Sequence, residues 1–303
     1  MPEKLASEDL TLSDSHEGKF FMRKKEMEVV MKDKIALQLY SVRWQLEEDF
    51  RGTLEKVKAM GYDGVEFAGI YGHDPLEIKA MCEEIGLVPI SAHVPFDDLM
   101  KDTEAMMDCY SKIGCKHVVV PYLTEEYRPG TPGFAKVVAG IKDVIGVAAK
   151  KYGLVLQYHN HDFEFDKIDG EYALDILYKE VGPELLQTQL DTCWVNVGGE
   201  NPADYVRKYA GRTPTVHLKD FKGSKSENMY ELIGIDKEKG EDAGSFELRP
   251  LGKGVQDFKA IVAASKESGA QWFIVEQDNP SLGLDALECA KVSIDYLKSE
   301  IME

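Results

Sequence analysis

The sequence predicts a single (β/α)₈ barrel, the TIM barrel, and three observations support that fold class. From Ile35 onward, short apolar runs alternate with longer amphipathic runs, and each kind occurs eight times. This alternation is typical of a parallel sheet, and a count of eight favours a closed barrel over an open, doubly wound sheet. No Gly-x-Gly-x-x-Gly pattern follows the first strand, which argues against an open nucleotide-binding sheet.

The eight predicted strands are short apolar runs rich in Val, Ile, Leu and aromatic residues, as buried parallel strands are. They cover residues 35–40, 64–67, 88–93, 117–121, 154–159, 186–190, 215–219 and 272–276.

The eight predicted helices are the amphipathic runs between these strands. They cover residues 54–60, 76–85, 105–113, 135–151, 173–181, 203–209, 255–268 and 285–298. Several end at a glycine just before the next strand, at Gly61, Gly86, Gly114, Gly153 and Gly269. Glycine is the usual stop signal of a helix, because it adopts the left-handed conformation at no steric cost.

The barrel accounts for residues 31–303 as one domain, and residues 1–30 stand apart from it. These first residues are polar and mixed in charge, so we expect a poorly ordered arm; a helix packed on the barrel or on a second subunit is the alternative. Between Phe221 and Gly254 the chain has no strong periodicity. A connection this long, placed after the seventh strand, predicts a lid or a binding loop.

Composition excludes several classes of partner. The net charge is −18, and the longest basic run is Arg23-Lys24-Lys25, so a nucleic-acid partner is not expected. No apolar run is long enough for a membrane span. The five cysteines form no Cys-x-x-Cys pair, which together with the lack of a signal sequence predicts a reduced, cytoplasmic protein. A homo-oligomer stays open.

Polar side chains recur at the carboxyl ends of the predicted strands, where a barrel that only packed its core would have Val, Ile or Leu. Because a TIM barrel has its active site at this face, these residues are the candidates for function. They are Glu66, His93, His159, His161, Asp191, His217 and Glu276.

Four of these residues predict a metal site. His159, Asp191, His217 and Glu276 end strands five, six, seven and eight, which are neighbours in a closed barrel. Two imidazoles and two carboxylates suit a divalent ion such as Mn²⁺, Zn²⁺, Fe²⁺ or Co²⁺. A polar network without a metal is the alternative interpretation.

Five segments resemble the xylose-isomerase-like barrel superfamily of sugar isomerases and epimerases. That superfamily includes inosose dehydratases and tagatose and psicose epimerases, and it shares its barrel with repair nucleases of the endonuclease IV type. The resemblance extends from Ile35 to Leu297. It rests on Leu37-Gln-Leu-Tyr-Ser, Gly61-Tyr-Asp-Gly-Val-Glu-Phe, Tyr158-His-Asn-His-Asp-Phe-Glu-Phe, His217-Leu-Lys-Asp and Val275-Glu-Gln-Asp.

The resemblance implies one divalent metal ion held by Glu, Asp, His and Glu, with Mn²⁺ favoured and Zn²⁺, Fe²⁺, Co²⁺ or Mg²⁺ as alternatives. Asp191, His217 and Glu276 match three of these positions. His159 stands where many relatives have glutamate, and an alternative register would place Gln157 there. A site with one carboxylate fewer is less negative, so its ion would withdraw more charge from a bound oxygen.

The resemblance also implies chemistry next to the carbonyl group of a sugar, keto-sugar or polyol, through a metal-stabilised enediolate. Glu276 is the expected base, and His161, Glu66 and His93 are candidates for the second proton transfer. Predicted substrate contacts are Lys219, Gln38 and the rings of Trp44 and Trp194, with Arg249 as a further cation.

We expect an isomerase or epimerase. A lyase or dehydratase, of the inosose dehydratase or C-glycoside-cleaving kind, is the alternative because the same enediolate can expel a neighbouring substituent. A non-catalytic sugar-binding barrel and a repair nuclease are further alternatives, and the acidic charge argues against the nuclease.

Overall fold

Eight parallel strands close into a barrel in the computed structural model, which describes residues 33–225 and 246–302. Neighbours in the barrel follow chain order, and β1 pairs with β8, so the predicted fold class is confirmed. The strands are β1 (Ile35–Gln38), β2 (Gly64–Phe67), β3 (Val88–His93), β4 (His117–Val120), β5 (Val155–His159), β6 (Gln187–Asp191), β7 (Thr215–Leu218) and β8 (Trp272–Val275).

All eight predicted helices are present within a few residues of their expected bounds. The run predicted as one helix over 135–151 is α-helical at both ends, with a π-helical stretch at Gly140–Ile145 between them. The helices are Phe50–Met60, Pro75–Ile85, Thr103–Ile113, Phe134–Ala139, Gly146–Lys151, Ala173–Val181, Pro202–Lys208, Phe258–Glu267 and Ala286–Tyr296, the last continuing as a π-helix over Leu297–Ile301. None of the described helices is long and apolar enough to span a membrane.

Three further α-helices were not predicted from the sequence. They are Arg43–Glu48 after β1, Phe96–Lys101 after β3 and Thr192–Val197 after β6. Each has six residues, which is fewer than two turns, so a period of 3.6 residues cannot be recognised in it. Short 3₁₀ turns at Leu39–Val42, Glu125–Tyr127 and Phe163–Phe165 were missed for the same reason.

Helix ends follow the predicted glycine stops. Gly61 and Gly114 have φ of 103° and 104°, in the region that side chains with a Cβ rarely adopt, and each closes its helix with a backbone hydrogen bond. The chain then turns directly into β2 and β4. The glycines thereby set where each of these strands begins, and hence which residue reaches its carboxyl end.

Alternation along the strands stacks inward-pointing residues in layers. On β5 the sequence of alternate residues is Val155, Gln157 and His159, and on β7 it is Thr215 and His217, with Lys219 next. Successive side chains of a strand point to opposite faces, so the members of each set lie on one face of the sheet. Gln157, His159, Thr215 and His217 are buried, whereas Val155 at the start of β5 is 37% exposed. The chemically capable members occur at the carboxyl end of each set, and a polar layer lies directly beneath them.

The long connection after β7 is anchored by an antiparallel ribbon. Asp220–Lys222 pairs with Glu247–Arg249, which the sequence analysis left without structure. Residues 226–245, the middle of the predicted lid, lie outside the described residues, as do residues 1–32 with the predicted arm. A second ribbon pairs Lys167–Ile168 with Glu171–Tyr172 after β5.

The carboxylate of Asp220 holds the two ends of this connection together. Oδ1 accepts hydrogen bonds from the backbone N–H groups of Phe221 at 2.9 Å and Gln256 at 3.2 Å. Oδ2 accepts from Gly252 at 3.0 Å and Gly254 at 2.8 Å. A Cβ on Gly254 would lie 2.2 Å from Asp220 Oδ1, so only glycine lets the backbone approach this closely.

We expect Asp220→Ala to destabilise the protein by several kcal/mol, because it leaves four backbone donors without their acceptor, at about 1–3 kcal/mol for each that stays buried. Thermal and urea unfolding measure the effect. Asp257→Ala is the matched control, since Asp257 accepts one backbone hydrogen bond at an exposed helix start, worth about 1 kcal/mol. Equal losses in the two variants would contradict the assigned role of Asp220.

Candidate metal centre and active site

The structure brings the four predicted metal ligands together at the carboxyl ends of β5 to β8. Ligand atoms of His159, Asp191, His217 and Glu276 all lie within 4.8 Å of one another, and all four residues are buried. A second set, His93, His159 and His217, meets the same criterion. Because the two sets have His159 and His217 in common, an ion bound here would be held by one set or the other.

Both ring nitrogens of His217 face carboxylates. Its Nε2 lies 2.7 Å from Oε1 of Glu66, and its Nδ1 lies 2.9 Å from Oε2 of Glu276. Metal-binding histidines usually donate their second ring N–H to a carboxylate in this way, which fixes the ring and its tautomer. Burial would lower the pKa of His217, but Glu66 and Glu276 raise it to about 10. In the metal-free chain both ring nitrogens therefore carry protons.

Asp191 presents an oxygen that suits a cation. Its Oδ1 accepts hydrogen bonds from the backbone N–H groups of Cys193 and Trp194, at 2.8 and 3.1 Å, and so begins the helix Thr192–Val197. Its Oδ2 is buried and accepts no hydrogen bond within the described part of the chain. The nearest cation is Lys219 Nζ at 3.5 Å. A buried carboxylate oxygen without a donor is costly unless a charge meets it, and the donor set here fits a divalent ion.

Gln157, the alternative ligand, lies one layer deeper in the barrel. Its amide donates hydrogen bonds to the backbone oxygen of Thr188 at 2.8 Å and to Thr215 Oγ1 at 3.0 Å. His159, two residues further along β5, faces Asp191, with Nε2 at 3.8 Å from Oδ2. The geometry therefore favours the register that uses His159.

Glu66 was predicted as a proton-transfer group, but the structure buries it beneath the site. Oε1 accepts from Gln38 Nε2 at 2.7 Å and lies near His217, while Oε2 accepts from Ser91 Oγ and Gln189 Nε2, both at 2.6 Å. Burial would raise its pKa, but His93 and His217 hold it well below its usual value. Glu66 is fully buried and does not line the cavity, so it positions other groups and does not meet substrate.

Lys219 lies among three carboxylates at the centre of the site. Its Nζ is 3.0 Å from Glu276 Oε2, 3.0 Å from Asp278 Oδ2 and 3.5 Å from Asp191 Oδ2. Burial lowers the pKa of Lys219, but these carboxylates raise it well above its usual value, so it is charged. Burial raises the pKa of Asp278 to about 6, against the opposing effect of Lys219.

Sequence reasoning missed Asp278, although a signal for it was present. Asp278 follows Glu276 at the same two-residue spacing with which Lys219 follows His217. Both pairs therefore return to the same side of the chain and meet at the mouth of the barrel, where Lys219 and Asp278 form an ion pair. Applying the alternation rule to β8 as well as β7 would have found it.

His161 lies beside the ligand cluster in an aromatic surrounding. Its ring stacks on Phe163 with centroids 5.4 Å apart, and it contacts Trp194 and Tyr122 at 5.5 and 6.0 Å. Burial lowers its pKa well below the usual value, so the imidazole is neutral. Its Nδ1 is buried without a hydrogen-bond partner in the described chain, which leaves it available to a ligand.

The backbone of His161 is held by Glu164, a residue that sequence reasoning also missed. Glu164 Oε2 accepts from the His161 backbone N–H at 2.8 Å, and Oε1 accepts from the Tyr158 hydroxyl. Glu164 is almost completely buried. Nothing in the sequence distinguishes it from an exposed glutamate in a loop, because its burial follows from the 3₁₀ turn Phe163–Phe165 folding back on β5.

The cluster opens into a cavity of about 390 Å³. The predicted site residues that line it are His93, His159, His161, Lys219 and Glu276, and the structure adds Tyr40, Tyr122 and Asp278.

Four predicted substrate contacts do not line this cavity. Trp44 is 45% exposed on the helix after β1, with the Arg43 guanidinium 3.7 Å from its ring. Trp194 is fully buried behind the cavity wall and stacks on Phe246. Gln38 donates to Glu66 and accepts from the Tyr40 N–H, so its amide is already occupied. Arg249 pairs with Glu247 in the ribbon.

The fold and this site define a class: a barrel enzyme whose polar centre lies at the carboxyl ends of the strands. Residues 54–300 match the family model for the xylose isomerase-like TIM barrel, and the chain belongs to that family. The resemblance noted from the sequence is thereby confirmed.

The relatives of this chain are distant in sequence, but the alignments cover nearly the full length of both proteins. An inosose dehydratase of Clostridium botulinum is 24% identical over 303 residues, covering 88% of this chain and 98% of the relative. A sugar phosphate isomerase/epimerase from Parabacteroides distasonis has a TM-score of 0.71 at 24% identity, covering 88% of this chain and 98% of that one. The IOLI protein, solved with a bound zinc atom, has a TM-score of 0.63 at 17% identity, with 86% and 95% covered.

We expect the stability of the protein to fall between pH 4.5 and 7 through Glu164. Burial raises the pKa of Glu164 from 4.5 to about 7 in the folded protein. The unfolded chain then binds fewer protons than the folded one in this window, so the free energy of unfolding decreases as the pH rises, by about 3 kcal/mol in all.

Glu164→Gln isolates this effect, because glutamine does not titrate. Urea unfolding at pH 5 and pH 8 should show wild type losing about 2.5 kcal/mol more than the variant between the two pH values. Subtracting the free energy of unfolding of the variant from that of wild type at each pH cancels the contributions of the other titrating groups, which the two proteins share. A constant difference across the window would refute the assignment.

Proposed function

We propose that this chain is a divalent-metal-dependent enzyme that removes a proton next to the carbonyl group of a keto-sugar, and that it acts as an isomerase or epimerase. One observation supports this above the others. Two imidazoles and two carboxylates, from four consecutive strands, converge within 4.8 Å at the edge of a cavity large enough for a sugar. The family supplies the class of substrate, because its named members process sugars and inososes.

His159, Asp191, His217 and Glu276 would hold the ion, with Mn²⁺ favoured and Zn²⁺, Fe²⁺, Co²⁺ or Mg²⁺ as alternatives. When bound, the ion supplies Lewis-acid stabilisation for the negative charge that develops on the substrate oxygen. Asp191 Oδ2, which accepts no hydrogen bond in the described chain, and the His217–Glu66 contact are the features of the chain that support this assignment. The bound zinc of the IOLI protein, which has the same fold, is consistent with it.

Glu276 is the base in this proposal. Burial would raise its pKa, but Lys219 and His217 lower it well below its usual value, so it is ionised and can accept a proton. Lys219 lies 3.0 Å from Glu276 and borders the cavity, where its ammonium group can donate a hydrogen bond to a substrate oxygen as charge develops.

His161 is the second proton-transfer group. It lines the cavity, and burial keeps its imidazole neutral, so it can accept a proton from substrate. His93 also lines the cavity, but its Nε2 lies 2.8 Å from Gln189 Oε1 and 3.1 Å from Glu66 Oε1. We therefore assign His93 to positioning and His161 to proton transfer.

A dehydratase is the second candidate, and the curated relatives favour it. Eight relatives, each covering more than four fifths of this chain at 22–24% identity, are named inosose dehydratase. The first proton abstraction is common to both candidates. A dehydratase then protonates a leaving hydroxyl group, and the neighbouring His161 could donate that proton. An epimerase instead returns a proton to the opposite face of the same carbon.

Two other classes fit less well. A non-catalytic sugar-binding barrel would not need a metal-binding side chain at each of the four ligand positions, and this chain has one at all four. A repair nuclease would need a surface that attracts a phosphate backbone, and the net charge of −18 opposes that.

We expect the chain to bind one Mn²⁺, and Asp191→Asn to weaken that binding at least about a hundredfold, because it replaces a charged ligand. Dialysis with metal analysis gives the stoichiometry, and the rise in melting temperature with added Mn²⁺ gives the affinity.

His93→Gln is the matched control, because His93 belongs only to the alternative three-histidine set. It should keep the stoichiometry and lose at most about tenfold in affinity, as for groups that orient ligands. If His93→Gln loses the ion while Asp191→Asn keeps it, the ion is bound by the histidines and the proposed ligand set is wrong.

We expect the Mn²⁺-loaded enzyme to incorporate solvent deuterium at a carbon next to the carbonyl group of a keto-sugar or inosose. His161→Ala should lower the turnover rate about 10²–10⁴-fold, as loss of an acid–base group does, and should keep its metal. Mass spectrometry of the product separates the two candidates: an isomerase or epimerase retains all atoms, and a dehydratase loses one water.

The alternative role of His161 is to orient a metal ligand. In that case its loss would appear in metal affinity, and excess Mn²⁺ would restore the rate. Full restoration by metal would therefore overturn the proton-transfer assignment, and absence of deuterium incorporation in wild type would overturn the proposed function.

A further inference from the structure

The cavity has two chemically different halves. The residues that line it after β5, β7, β8 and β1 are all polar, and they include the proposed catalytic groups. The residues that line it after β2, β3 and β4 are mostly apolar, and we call the following six the apolar wall. They are Ala68, Val94, Pro95, Met106, Pro121 and Tyr122.

The apolar wall offers little to the hydroxyl groups of a free sugar. Within the described residues, the polar side-chain groups of this half are His93, Asp98 and the hydroxyls of Tyr110 and Tyr122. His93 is committed to Gln189 and Glu66, and Asp98 lies exposed at the rim. A hydroxyl group pressed against the wall would lose its water without a new partner, at about 1–3 kcal/mol each. A monosaccharide has such groups around its whole ring.

The size of the cavity leads to the same inference. Its 390 Å³ falls within the range of roughly 300–1,000 Å³ typical of pockets for drug-sized ligands. A sugar ring bound at the ligand cluster would leave the apolar half unfilled. The wall also adjoins the cluster directly, since the Tyr122 and His161 rings meet edge to face with centroids 6.0 Å apart. A group attached to the sugar by a single bond would reach it.

We propose that the apolar wall binds an aromatic aglycone, so that the substrate is a glycoside of a keto-sugar and not a free monosaccharide. This inference rests on the proposed function, because it takes the sugar to lie at the ligand cluster. An aromatic ring fits the wall by its chemistry: it has no hydroxyl groups to desolvate on its faces, and it packs well against a thioether and another ring.

The test compares glycosides that differ only in the aglycone. Isothermal titration of the Mn²⁺-loaded protein with phenyl and methyl β-glycosides of glucose, galactose and xylose gives three matched pairs. We expect the phenyl member of at least one pair to bind at least about tenfold more tightly, from the apolar area it buries.

Met106→Gln places an amide in the wall at nearly unchanged length. It should remove most of the phenyl preference and leave the affinity for the methyl glycoside unchanged. Met100→Gln is the matched control, because Met100 is exposed on the neighbouring helix Phe96–Lys101 and does not line the cavity. It should keep the full preference.

Equal affinities for phenyl and methyl glycosides in every pair, or no measurable binding of either, would overturn the aglycone proposal. A phenyl preference that survives Met106→Gln would overturn it too, because the ring would then bind elsewhere. Metal content and deuterium exchange into an unsubstituted keto-sugar are measured on the same preparation. If no metal is bound or no deuterium is exchanged, the proposed function is wrong whatever the glycoside result. If both measurements succeed and the glycoside affinities are equal, only the aglycone proposal is wrong.

Discussion

The site depends on the buried carboxylate of Glu66. This one group contacts side chains from four other strands: Gln38 on β1, Ser91 and His93 on β3, Gln189 on β6 and His217 on β7. Burying a charge is costly unless it is paired and hydrogen-bonded, and here both oxygens are satisfied. The contacts fix the ring of His217 and, through Gln189, those of His93 and His159. Pre-organisation of this kind is what holds ligand and proton-transfer groups in working geometry.

Charge pairing offsets part of the cost of burying the carboxylates of the cluster and leaves a net negative charge that favours a cation. Without an ion, Lys219 and the doubly protonated His217 supply two positive charges against the four carboxylates of Glu66, Asp191, Glu276 and Asp278. An ion bound to Nδ1 of His217 would displace the proton there, so the imidazole exchanges one positive partner for another. Lys219 keeps its contact with Asp278 in either state. The protein thus avoids leaving several carboxylates unpaired in a buried site.

The sequence predicted the barrel, its eight strands and the clustering of His159, Asp191, His217 and Glu276, because each follows from a local signal. Alternation of apolar runs locates the strands, and a polar residue at a strand end stands out against a core composition. The roles of Glu66 and Gln38 could not be read in this way. The pairing of β2 with β3 shifts register between Val65 and Glu66, and depth in the barrel depends on that shift. Whether a strand-end residue lies at the mouth or in the layer below is a property of register, which a single strand does not encode.

The two halves of the cavity differ in what holds them in place, and this difference separates chemistry from specificity. The polar half rests on an interlocked layer, in which Thr215 hydrogen-bonds to Gln157 and to Gln189, and Gln189 donates to Glu66. A change in one member therefore disturbs the others. TIM barrels usually fill this layer with branched apolar residues. The apolar half is formed by residues such as Met106 on the helix Thr103–Ile113 and Tyr122 in the loop after β4. Substitution there changes the shape offered to a ligand and leaves the network intact. If the proposed function holds, a barrel built in this way would keep proton abstraction in the polar half and recognise the group attached to the sugar with the apolar half.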